Sequence, residues 1–256
     1  MRGKKEQRCL NRARKQLDIK NCYTVSEAEF QNIKTCLELA KPNSQDSVFP
    51  DFLFPGGFIE HFQITSGRES RKGSAHSVAS VDFHRNCDRK LDELANANNK
   101  TEVRASMQYR GHSHENLITS FKRNWEKHLD SLERAPQLQG HLGIFIVQYC
   151  DVFALQMHGE CYAPLGKGLS PISGCDNPNG YKLSRDKELL QYLQRYKGVI
   201  KYVIFVDIAE TEIIAIDHVG TRLTELLPWD YIVVSGHPAE FYIGSSFSTD
   251  YESETE

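Results

Sequence analysis

Apolar residues along this chain recur at two spacings, and the switches between them mark out the elements. At helical spacing, Ser26-Glu27-Ala28-Glu29 forms a capping box ahead of Phe30, Ile33, Leu37 and Ala40, and Pro42 closes that helix. From His114 to Arg134, Leu117, Ile118, Phe121, Trp125, Leu129 and Leu132 share one face, with Lys122, Arg123 and Lys127 off it. Ser184 is placed to cap a further helix carrying Leu189, Leu190, Leu193 and Tyr196, ended by Gly198. A short helix is predicted over 84–97. Strand-length apolar runs occupy 142–149, 152–157, 199–208 and 212–217, with a last one over Tyr231 to Ser235.

Between the first two helices lies FPDFLFPGGFIEHFQITSG, two aromatic-rich runs around Pro55-Gly56-Gly57, which reads as a β-hairpin from Phe49 to Ser66. Residues 67–80 read as a basic Gly/Ser loop, 98–113 as a polar stretch of undefined structure, and 159–182 as a Gly/Pro-rich excursion. The pattern predicts a basic arm or helix over 1–25, a single α/β domain over 26–240, and an acidic, disordered tail over 241–256. The domain is expected to hold a mixed central β-sheet flanked by helices.

Composition narrows this picture. With 256 residues, 39% apolar and 25% charged, the chain can bury a substantial core. A net charge of -3 leaves no global attraction to polyanions, so any such affinity must be local. The first twenty residues are the clearest local excess, with eight Lys or Arg against two acids. Two readings stand there: a solvated helix, or an arm that touches nucleic-acid phosphates. The seven cysteines are scattered and never form C-x-x-C, which fits reduced thiols. With neither a membrane-length apolar run nor a signal core in the sequence, the expectation is a cytoplasmic protein that does not engage membranes.

Few stretches carry candidate chemistry. His84-x-x-Cys87 with His112-x-His114 offers four zinc-ligand side chains, or simply helix-surface His and Cys. Leu165-Gly166-Lys167-Gly168 lacks the upstream Gly and the following Ser or Thr of a phosphate loop. The hairpin is richer. A turn at Gly56-Gly57 sets Asp51 opposite Phe62 and Leu53 opposite Glu60, so Asp51 and Glu60 share a face as diagonal neighbours, roughly 7 Å apart. Two carboxylates so placed suit a hard divalent ion, Mg²⁺ or Mn²⁺.

Pro50-Asp51 on the first strand and Ile59-Glu60 in the second make the hairpin resemble the core of the PD-(D/E)XK, or restriction-endonuclease-like, nucleases. The order of helix, hairpin, helix, strand, helix and strand is similar to that family's core, out to about residue 217. The resemblance implies Mg²⁺-dependent hydrolysis of phosphodiester bonds, in DNA rather than RNA. It assigns Asp51 and Glu60 as metal ligands, with a carbonyl near His61 as a further donor and Glu29 or Glu38 as accessory acids. Ser66, Arg68, Arg71 and Lys72 would hold substrate phosphate, and a homodimer would suit a duplex substrate. The family places a lysine two residues after the Glu; here Phe62 stands there. Gln63 could serve only if a β-bulge turned it into the site. The other reading is a non-catalytic α/β module that binds nucleic acid or protein, its hairpin acids structural.

Overall fold

A computed structural model describes residues 3–44, 48–70, 73–96, 101–108, 111–149, 151, 154–165, 168–174, 180–227, 229–235 and 239–246. Its centre is a mixed seven-stranded sheet built from Cys22–Tyr23 (β1), Lys41–Pro42 (β2), Phe52–Phe54 (β3), Gly57–Ile64 (β4), Leu142–Tyr149 (β5), Tyr202–Val206 (β6) and Thr211–Ala215 (β7). The spatial order is β1-β7-β6-β5-β4-β3-β2. Strands β4, β5 and β6 run parallel, while the pairs β2–β3, β3–β4 and β6–β7 are antiparallel. Strands β5, β6 and β7 are buried along almost their whole length, as their unbroken apolar runs require.

Helices cover both faces. His114–Glu133 (α4), Lys187–Leu193 (α5) and Val219–Glu225 (α6) pack one side, where Phe121, Trp125, Leu189 and Val219 meet Phe58, Phe62, Phe145 and Phe205. Lys4–Gln16 (α1) and Glu27–Leu39 (α2) pack the other, where Leu10, Ile33 and Leu37 meet Ile59, Ile144 and Ile204. The α/β fold with a mixed, helix-flanked sheet is therefore as its periodicities indicate.

Several boundaries differ. Residues 4–23 join the domain: Cys9, Leu10 and Ala13 of α1 are buried, and β1 pairs with β7. The loop expected over 67–80 holds a two-strand ribbon, Glu69–Ser70 with Gly73–Ser74, and the start of a longer helix, Ala75–Asn96 (α3). The stretch 98–113 contains the strand Thr101–Gln108, paired with Ala239–Ser246, so residues expected in the tail are sheet. Cys22–Tyr23 and Thr101–Gln108 find their partners far along the chain, a pairing that local patterning does not encode. The excursion carries the hairpin Leu155–Leu165 and Gly168–Gly174, joined by Trp229–Ser235.

Two local expectations are corrected in detail. Asp186, not Ser184, caps α5, taking the Leu189 amide at 3.1 Å, while Ser184 turns inward to donate to buried Glu212. The hairpin turn is Pro55-Gly56, pairing Phe54 with Gly57 and Leu53 with Phe58. Proline suits the first central position of such a turn, and Gly56 takes φ 81° at the second. Gly57 is then inside the ladder, where a Cβ would lie 2.2 Å from the Phe54 ring. The slide preserves parity and carries the ladder's next step, beyond Phe52 and Ile59, to Asp51 opposite Glu60.

Candidate functional site

The site forms where β4 outruns its neighbour. Strand β3 begins at Phe52, so beyond Ile59 the β3-side edge of β4 has no strand beside it among the described residues. The unpaired edge is closed by the two acids in reciprocal fashion. Asp51 Oδ2 accepts from the His61 amide at 2.9 Å, and Glu60 Oε2 accepts from the Asp51 amide at 3.0 Å. An edge amide left dry would be costly, so these carboxylates stabilise the fold as well as charging the notch. Asp51 follows a cis Phe49–Pro50 peptide.

Helix α4 supplies a partner that spacing alone did not single out. His128 Nδ1 lies 2.6 Å from Glu60 Oε1, with the two side chains only 17% and 8% exposed. Position 128 stands three after Trp125 and four before Leu132, inside the apolar stripe, where a histidine is the anomaly that could have flagged it. Phe62 explains the ring's pose: it stacks on His128 at 5.0 Å between centroids, 15° from parallel. Phe62 thus holds an imidazole against Glu60.

Asp51, Glu60, His61 and His128 line a cleft of about 300 Å³, together with Gly3 and Glu6 of the α1 end, Asn43, Phe49, Lys127 and Ser131. Glu6 Oε2 is buried there without a hydrogen-bond partner among the described residues. Burial, then the charge of Glu60, pushes the Asp51 carboxyl up to about 7. Burial holds the His61 imidazole below its ordinary value, against the bond between its Nε2 and Gln148 Oε1 at 3.0 Å. A carboxylate raised by a second carboxylate is a place where a cation is favourable.

The other expected residues fall elsewhere. Strand β4 keeps an unbroken register with β5 from Gly57 to Ile64, so no bulge forms between them, and Gln63 points away from Glu60 to bond Gln148 at 3.0 Å. Gln63 therefore does not join the acids, and His61 reaches Asp51 through its backbone amide. Glu29 is held in the capping box with Ser26 and by Tyr202, outside the cleft. Ser66 sits at the far end of β4, fully buried, with its hydroxyl 2.8 Å from His112 Nδ1 and 2.9 Å from Tyr149. Its amide and the Thr65 hydroxyl each donate to Asp151 at 2.6 Å, which makes this a structural knot rather than a phosphate ligand. Arg68 is exposed beyond it, and Arg71 and Lys72 lie outside the described residues.

Among the described residues no three His, Cys, Asp or Glu side chains are arranged to hold a metal ion, so His84, Cys87, His112 and His114 do not assemble a zinc site. His114 instead pairs with Asp186 at 2.6 Å. A larger cavity of about 520 Å³ opens at the amino ends of β4 to β6, with mixed polar and apolar walls, and its Lys201 is paired with Asp217 at 2.7 Å. No described helix is long and apolar enough to cross a membrane. No protein-family model, curated protein or solved structure matches the chain.

Proposed function

We propose that the chain is a divergent metal-dependent hydrolase of phosphodiester bonds in DNA, working at the Asp51–Glu60 cleft. The observation that carries this reading is the pair itself: Asp51, just ahead of β3, and Glu60 of β4 bring two carboxylates together in one cleft, with Lys127 also in its lining. The resemblance to the PD-(D/E)XK core supports it, as does the order α2, β2–β3–β4 and then, after an intervening stretch that holds α3 and Thr101–Gln108, α4 and β5, with β4 and β5 parallel.

The donor set fits Mg²⁺ or Mn²⁺ in a limited sense. Mg²⁺ keeps several waters and needs only one or two protein carboxylates beside substrate oxygens. Asp51 and Glu60 would hold it, and the raised Asp51 carboxyl is the group whose ionisation a cation would favour. Such an ion polarises phosphoryl oxygens and acidifies a bound water. The remaining work belongs to the chain. His128 fixes Glu60 in one orientation, Phe62 fixes His128, and Lys127 brings an exposed ammonium to a phosphate entering the cleft. Lys127 thereby supplies from the helix the charge that Phe62 does not supply from the strand.

A second reading rests on a specific observation: both carboxylates already accept backbone amides, and Glu60 also binds His128. Acids so engaged suit a non-catalytic module that binds nucleic acid or protein. The test is incubation with Mg²⁺ or Mn²⁺ and linear, circular and single-stranded DNA, and RNA, beside Asp51→Ala and Glu60→Ala, with calorimetry for ion binding. The hydrolase reading expects DNA cleavage lost in both variants and weakened ion binding. Cleavage that survives both substitutions removes the site assignment. No cleavage and no ion uptake leaves the binding module.

A further inference from the structure

The basic excess at the start of the chain acquires a geometry in the fold. Helix α1 buries Cys9, Leu10 and Ala13 against the sheet and leaves Lys4, Lys5, Arg8 and Lys15 exposed, with Arg12 half-buried at the flank. Among the described residues none of these five makes an ion pair, and neither does Lys127. Arg14, by contrast, is consumed structurally, donating to the carbonyls of Leu37 and Ala40 at the end of α2. The acid of the first turn, Glu6, points inward to the cleft, so it does not neutralise the stripe. The helix is thirteen residues long, about 20 Å of rigid rod. Its amino end, through Gly3 and Glu6, forms part of the wall of the Asp51–Glu60 cleft.

A row of cations without ion-pair partners, leading toward a cleft with Lys127 on its rim, is complementary in charge to a polyanion. The stripe contains no aromatic residue, whereas sequence-tolerant binders of single strands stack bases on aromatic side chains. A rigid row of charges without stacking platforms matches the regular phosphates of a duplex. We propose that the solvent face of α1, with Lys127 across the cleft, is a sequence-independent docking surface for double-stranded DNA. Its amino end leads a phosphate backbone to the cleft mouth. This names the partner of the cleft and, in its biological sense, rests on the hydrolase reading. It also moves the phosphate contacts from the 66–72 loop to the first helix.

The test is fluorescence anisotropy of a labelled 30-base-pair duplex with the full chain in EDTA, across 50 to 200 mM salt, so that catalysis plays no part. Six contacts predict a log–log salt slope of about -5 and roughly a thousandfold loss of affinity over that range. Lys4→Gln, Lys5→Gln and Arg8→Gln combined should flatten the slope by about 3 and weaken binding at 50 mM. Glutamine is a good helix former, so α1 should persist, which circular dichroism checks. Lys20→Gln, Lys90→Gln and Lys197→Gln combined remove the same charge elsewhere and should leave the slope unchanged. The charge-preserving Lys4→Arg, Lys5→Arg, Arg8→Lys triple should retain it. No duplex binding, equal slopes in the two Gln triples, or tighter binding of a single strand or RNA would each overturn the proposal. Asp51→Ala that binds like the parent while neither cleaves DNA would remove the hydrolase reading alone.

Discussion

Glu60 is the side chain on which most of the cleft's contacts converge, accepting the Asp51 amide and the His128 imidazole while almost wholly buried. A buried acid with a histidine partner is costly to split, because the remaining group loses its compensation. His128→Leu alone and Glu60→Leu alone should therefore each lower stability, by about 3 kcal/mol for a pair this enclosed, in urea unfolding. The double substitution should cost less than the sum, and additive losses would show that the pair is not coupled. Glu212 offers a pH test away from the cleft. Burial raises its carboxyl from 4.5 to about 7, outweighing its bonds to the Ser184 hydroxyl and amide. The folded state then holds a proton that the unfolded state has released between pH 4.5 and about 7. Its contribution is full below that window and is lost as pH rises through it. Glu212→Gln, which can still accept from Ser184, should raise Tm at pH 8, leave it unchanged at pH 4 and flatten the limb between. A variant whose profile parallels the parent would remove Glu212 as the source.

At the scale of the element, the hairpin sets where the acids meet, and its turn depends on two glycines for different reasons. Gly56 needs its left-handed backbone; Gly57 needs the absence of a side chain, since a Cβ would also lie 2.5 Å from the Leu142 carbonyl of β5. Gly57→Ala should cost about 1–3 kcal/mol by overpacking, and a neutral result in thermal melts would mean that the Phe54 ring simply moves aside. The same hairpin shows what a sequence discloses. Period-two alternation put Asp51 and Glu60 on one face and Gln63 on the other, and both follow from the pleat alone. The register did not follow, because Pro-Gly and Gly-Gly both make two-residue turns, and the choice depends on what Gly57 touches in the next strand. His128 was legible as a polar residue in an apolar stripe, but Leu129 filled the same face and hid it. Glu6 was hidden by the charges around it, although Cys9, Leu10 and Ala13 already had the spacing of a buried stripe.

At the scale of the molecule, the sheet has two cores, and the one beneath α1 and α2 is where arm and domain become one body. Leu10 is fully buried there, in a cluster with Ile33, Leu37, Ile59 and Ile204, while Gln16 bonds the Thr211 hydroxyl of β7 at 3.0 Å. Ile59 immediately precedes Glu60, so the helix that carries the basic stripe also backs the strand that carries the acid. If α1 were a detachable arm, Leu10→Ala would be nearly silent and removal of residues 1–17 would leave the domain's unfolding cooperative. As a wall of the second core, Leu10→Ala should instead cost about 2–5 kcal/mol, the range for a buried leucine truncated to alanine. Removing 1–17 would uncover Ile33, Leu37 and Ile204 together and should abolish a single cooperative transition. Urea unfolding followed by circular dichroism and by the fluorescence of Trp125 and Trp229 separates the outcomes. Coincident transitions at an unchanged midpoint in the truncated chain would return α1 to the status of an arm. A lowered midpoint in Leu10→Ala, with the solvent-side Lys4, Lys5 and Arg8 variant unaffected, assigns the two sides of one helix to two tasks: the inner side to stability, the outer to charge.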